Sequence, residues 1–228
     1  GILGGMGPEA TLTLFKEIID RTPAEKDQDH IRVIIDNNPK IPDRTDAILG
    51  KGISPLPEML KSYHTLEKAG VDFILIPCIS AHVYLDELRE EASIEILSAF
   101  EEVANMIVTN YNHINKIGLL ATAGTISGGL FQKKLAEKKI TTLVPEKESL
   151  DLVMSAIYTI KGVNPPNYYA NSKSIFKQAA KLLINKGAQG IIAGCTEIPL
   201  AFDQDDVDVP LFNPLLILAE SAIRRVKQ

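Results

Sequence analysis

A chain of 228 residues, 45% apolar and 23% charged, has the length and composition of one large globular domain or two small ones. Its net charge of −5 argues against a binder of nucleic-acid backbones, which usually carries a basic face, and no run approaches the ~20 apolar residues that cross a bilayer. Two cysteines are too few for a secreted disulfide scaffold, so free thiols and a cytoplasmic location are expected.

Residues 1–5 read as a strand. No charged segment precedes an apolar core there, so we expect no signal peptide, and we expect a few residues ahead of the strand. A helix follows over 9–21, then a strand over 31–36. Asn37 to Thr45 contains Pro39 and Pro42 and reads as a shaped loop. Helix 57–69 leads to strand 72–77, and helix 99–110 to strand 116–121. Next come helix 129–138, strand 141–144 and helix 149–161, in which Leu150, Val153, Met154 and Ile157 share one face. Helix 172–186 and strand 189–194 follow. Asn213 and Pro214 read as an N-cap and first helical residue, opening a last helix toward Val226. The strand runs are almost continuously apolar, as in parallel strands buried on both faces, and their alternation with helices implies an α/β fold.

A weak internal repeat runs through the chain. Leu66 to Cys78 overlies Leu183 to Cys195, with Leu, Gly, Ile and Cys coinciding at an offset of 117 residues. The same offset lays Gly1 and Gly7 on Gly118 and Gly124. Each half is therefore expected to be a small α/β unit, with its cysteine at the same structural place.

That place is a C-terminal strand end, where ligands bind in open parallel sheets. Cys78 follows strand 72–77 and Cys195 follows strand 189–194, with Ser80 and Thr196 just beyond. Either cysteine could serve packing alone, but two at equivalent points of a repeat suggest a shared role. The loop at Met6 lets backbone approach a ligand closely, and it is not a dinucleotide fingerprint. Arg44 presents a planar fork that matches a carboxylate, or else pairs with Asp43 or Asp46. His82 either lowers the Cys78 pKa or hydrogen-bonds within its own turn. No metal-ligand spacing occurs, and neither metal nor cofactor is expected.

These motifs resemble the aspartate/glutamate racemase family, and most closely its aspartate racemases. The resemblance lies in Gly4 to Thr11, Asp27 to His30, Asn37 to Thr45, Pro77 to His82, Gly118 to Gly124 and Gly194 to Pro199. It implies two similar pseudo-symmetric α/β domains, each a parallel sheet flanked by helices, with the active site in the cleft between them. The domains would span 1–97 with 213–228, and 98–212.

By the same resemblance Cys78 and Cys195 are the catalytic pair of a cofactor-independent racemase. Arg44 and Lys161 hold the distal carboxylate of a small dicarboxylic amino acid. Met6, Ile79, Ser80, Thr122, Thr196 and Glu197 complete the substrate contacts. By analogy with glutamate racemases, Cys195 serves the L-enantiomer and Cys78 the D-enantiomer. A homodimer is expected, with no nucleic-acid or membrane partner. One departure stands out: the family usually has Asn where this chain has Ile79. That leaves room for a cysteine isomerase of unsaturated diacids on the same scaffold. A non-catalytic dicarboxylate binder is a third reading, disfavoured because binding alone needs neither cysteine.

Overall fold

The computed structural model describes residues 1–162 and 169–227. Contacts divide the chain into two units, Gly1–Glu102 with Leu215–Gln228, and Val103–Pro214. Each is an α/β unit with parallel strands.

In the first unit, β1 (Ile2–Gly4) pairs in parallel with β2 (Ile35–Asn37), and β3 (Phe73–Ile74) with β4 (Glu95–Ile96). Leu3 donates to the Leu75 carbonyl at 2.9 Å and Leu75 donates to Gly1 at 2.8 Å, which joins the pairs in the order β2-β1-β3-β4. Helices α1 (Pro8–Arg21), α3 (Leu56–Lys68) and α4 (Leu85–Glu91) belong to this unit. Leu3, Met59, Tyr63, Leu66 and Ile74 form its core. Tyr63 is fully buried, and its hydroxyl accepts from Ile94 N at 2.9 Å and donates to Glu67 at 3.1 Å, so the burial leaves no polar atom stranded.

The second unit repeats the pattern. Strands β5 (Lys116–Ala121), β6 (Thr141–Leu143), β7 (Ile191–Gly194) and β8 (Leu211–Phe212) form a parallel sheet in the order β6-β5-β7-β8. Shifted by 117 residues, β1 falls inside β5, and both sheets have the same strand order. Gly190 is favoured here by packing, since a Cβ there would lie 2.7 Å from the Phe212 ring and 3.2 Å from the Pro210 carbonyl. Helices α8 (Lys147–Gly162) and α9 (Tyr169–Asn185) bury Val153, Ile157, Ile160 and Phe176. The buried face of α8 is centred on Val153, Ala156, Ile157 and Ile160. Leu150 and Met154, expected on that face, lie at its half-buried margin.

Several local readings of the sequence change, and the strand expected over 72–77 is confined to Phe73–Ile74. The strand expected over 31–36 is confined to Ile35–Asn37, because β1 offers only three residues to pair with. The expected loop through Thr45 ends in a helix, α2 (Arg44–Ile48), whose N-cap Asp43 accepts from Asp46 N at 3.0 Å. Thr122 likewise starts an unexpected helix, α6 (Ala123–Gly128), by accepting from Thr125 N at 3.2 Å. The remaining helices are α5 (Ala99–Asn110), α7 (Leu130–Glu137) and α10 (Pro214–Val226), the last beginning at the expected proline.

Candidate active site

In a sheet ordered 2-1-3-4 the connections reverse between the first and third strands, and the carboxyl ends of those two strands border a ligand crevice. In the first unit these ends carry Gly5 and Met6 after β1, and Cys78 to Ser80 after β3. In the second they carry Thr122 after β5, and Cys195 to Glu197 after β7. Every site residue singled out from the sequence lies at one of these ends, except Arg44 and Lys161.

The loop after β1 is shaped by close backbone contact. Gly5 has φ +93°, and a Cβ there would sit 2.3 Å from the Asn38 backbone, so glycine is required. Gly5 N donates to Thr11 Oγ1 at 2.9 Å. Arg44, on the first turn of α2, is buried beside this loop. Its Nη1 donates to the carbonyls of Pro42 at 2.8 Å and Ile41 at 3.2 Å, and its Nη2 to Met6 at 3.3 Å. The guanidinium thus ties the β2 loop to the β1 loop, a positioning role that the sequence did not reveal.

Cys78, Ile79 and Ser80 are all buried, and a short 3-10 turn runs from Ser80 to Tyr84. His82 Nδ1 lies 3.0 Å from the Cys78 carbonyl, which can only accept, so Nδ1 carries the hydrogen. Burial lowers the His82 pKa to about 4, against the opposing pull of that hydrogen bond. At neutral pH it is an uncharged strut within its own turn and supplies no cation to the thiol.

In the second unit, Cys195 Sγ donates to Glu197 Oε2 at 2.9 Å, and Thr196 Oγ1 donates to the same oxygen at 3.1 Å. Lys161, on the last turn of α8, places Nζ 3.9 Å from Glu197 Oε1 and 5.5 Å from the centre of the Tyr158 ring. Burial pushes the Cys195 thiol well above its ordinary range, and the Glu197 charge pushes the same way, while Lys161 opposes them. Glu197 was singled out from the sequence as a substrate contact; here its carboxylate meets the thiol. A carboxylate two residues beyond a cysteine at a strand end was the available signal.

Both cysteines are free and buried, Cys78 in the first unit and Cys195 in the second. Arg44 and Lys161 are divided between the units in the same way. Among the described residues no group of His, Cys, Asp or Glu is placed to hold a metal ion, and no helix is long and apolar enough to cross a membrane.

The broad specificity amino-acid racemase RacX of Bacillus subtilis is 29% identical over 231 residues, which span 98% of this chain and 96% of that protein. The aspartate racemase of Picrophilus torridus superposes with a TM-score of 0.87 at 27% identity, covering 100% of this chain and 93% of its own. An aspartate racemase homologue from Pyrococcus horikoshii gives 0.79 at 26% identity, covering 100% and 98%. The Asp/Glu/hydantoin racemase profile matches residues 3–222, and the chain belongs to that family.

Proposed function

We propose that this chain interconverts the enantiomers of an acidic amino acid, aspartate first, with one of Cys78 and Cys195 removing the α-proton and the other returning a proton to the opposite face. One observation carries the reading. Each unit sets a free, buried cysteine just beyond the third strand of a sheet with the same strand order. Racemisation needs a base on one face of a carbon and an acid on the other, and two such thiols fit that need.

One cysteine, as thiolate, takes the Cα proton, and the other, as thiol, returns a proton to the opposite face. Between them stands a carbanion, which backbone N–H donors and cations must stabilise. The loops at Met6, Ser80, Thr122 and Thr196 are the proposed donors. Arg44 and Lys161 are the proposed anchors for the distal carboxylate. Replacing Arg44 by Ala is expected to weaken dicarboxylate binding by about 1.5–3 kcal/mol, the worth of charge-assisted hydrogen bonds, measured by calorimetry. An unchanged dissociation constant rejects the anchor role.

A broader substrate range is a second reading with specific support. Buried Ile79 brings an apolar side chain where the family resemblance calls for an amide, and RacX, which aligns over almost the whole chain, is described as broad in specificity. The test is incubation in heavy water with L-aspartate, L-glutamate and a set of neutral L-amino acids. Uptake of deuterium at Cα with formation of the D-form is expected for aspartate. Uptake across the neutral set supports the broader reading, and no uptake from any amino acid rejects racemisation.

A further inference from the structure

The two cysteines sit in unlike surroundings. Cys78 lies beside a neutral, buried histidine bonded to its carbonyl. Cys195 instead has a carboxylate on its sulfur, and that carboxylate is only 7% exposed. Glu197 Oε2 receives two donors, the Cys195 thiol and the Thr196 hydroxyl, while Lys161 approaches Oε1. A carboxylate can accept from S–H but can only repel a thiolate at the same distance.

We propose that Glu197 is a positioning residue that keeps Cys195 protonated between turnovers and aims its S–H, so that the free enzyme meets substrate with Cys195 as its proton donor. This rests on the two-cysteine reading and deepens it. The two protonation arrangements of the pair are then unequal at rest. An enantiomer whose Cα–H faces Cys195 can react only after a proton has left that thiol. Burial of the thiol and the charge of Glu197 act together in this direction. Lys161 on α8 is the charged group that opposes them, holding the carboxylate at its far oxygen.

The test needs no substrate, so it is separate from whether the protein racemises anything. In a Cys78→Ser background Cys195 is the sole cysteine, and with carbon-labelled cysteine its titration is followed by NMR. With Glu197 intact, the signal is expected to remain that of the thiol through neutral pH. Glu197→Gln removes the charge and keeps an acceptor. It is expected to lower the titration midpoint by about one unit, raising the thiolate fraction roughly ten-fold at pH below the midpoint. Glu197→Asp, which keeps the charge, should stay nearer the parent, and Lys161→Met should shift the midpoint upward. An unchanged or raised midpoint in Glu197→Gln overturns the proposal. Should that variant not fold, a lowered or unchanged midpoint in Lys161→Met overturns it instead. If these shifts appear while deuterium exchange fails, the proton-holding pair stands and the reaction assigned to it falls.

Discussion

Replacing either Cys78 or Cys195 by Ser is expected to remove racemisation in both directions, by about a thousand-fold or more. A full turnover uses both groups, one to take the proton and one to return it, and a hydroxyl is a far weaker acid than a thiol. The loss should therefore be nearly the same for either variant, and the double variant should lose little more, because groups that act as a unit are not additive. A substrate with a leaving group on its β-carbon separates the two roles. Removal of the Cα proton alone lets the β-group depart, so elimination needs only the cysteine that acts as base. With Cys195 assigned to the L-form, Cys78→Ser should still eliminate from the L-substrate, and Cys195→Ser from the D-substrate. The reverse pattern would exchange the assignment and keep the two-base mechanism. Racemisation at the parent rate in either single variant would exclude it. Glu197 adds a further expectation, because in Cys78→Ser the thiol must lose its proton beside a carboxylate. Elimination from the L-form by Cys78→Ser should therefore rise with pH, and should rise at lower pH when Glu197→Gln is added.

Strands β5 and β7, which carry the second half of the site, were legible in the sequence because they are apolar runs. Ile117, Leu119 and Leu120 in β5 and Ile191 to Ala193 in β7 are almost wholly buried, and burial on both faces is what writes such a run. Strands β4 and β8 were not legible. Each is two residues long, Glu95–Ile96 and Leu211–Phe212, and exists because a neighbouring strand offers its edge rather than through its own pattern. The same division holds at the site. Cys78 and Cys195 could be paired through the repeat, since position along the chain determines which strand end a residue occupies. The contact between Glu197 and Cys195 depends on side-chain direction within one turn, and the bond from Arg44 to Met6 depends on a loop closing over 38 residues. Neither leaves a periodic trace in the sequence. Helix α2 shows a third kind of concealment. Its cap, Asp43, lies directly after Pro42, and the prolines mark a loop more strongly than one aspartate marks a helix start.

Stability is expected to fall in mild acid, and His82 identifies why. Its ring is fully buried, its Nδ1–H is bonded to the Cys78 carbonyl, and its edge packs against Phe100 with ring centres 5.4 Å apart. Protonation would place a cation in that environment, so the folded-state pKa is about 4, against 6.5 for an unperturbed imidazole. Above pH 6.5 the residue is neutral in both folded and unfolded chains and contributes no pH dependence. Between 6.5 and about 4 the unfolded chain binds a proton that the folded chain refuses, so stability drops as pH falls. Across that window the loss attributable to His82 is about 3 kcal/mol, a large share of an ordinary domain's stability. Replacing His82 by Asn, which can still donate to the Cys78 carbonyl but does not titrate, should remove most of this slope. Urea unfolding of both proteins across the window measures it directly. Equal slopes in the two proteins would mean that the imidazole accepts its proton without unfolding. The strut role would then be wrong, and His82 could present a positive charge to the turn that carries Cys78. Under the strut role, activity lost in acid should instead track the loss of the folded turn, and it should return fully on neutralisation.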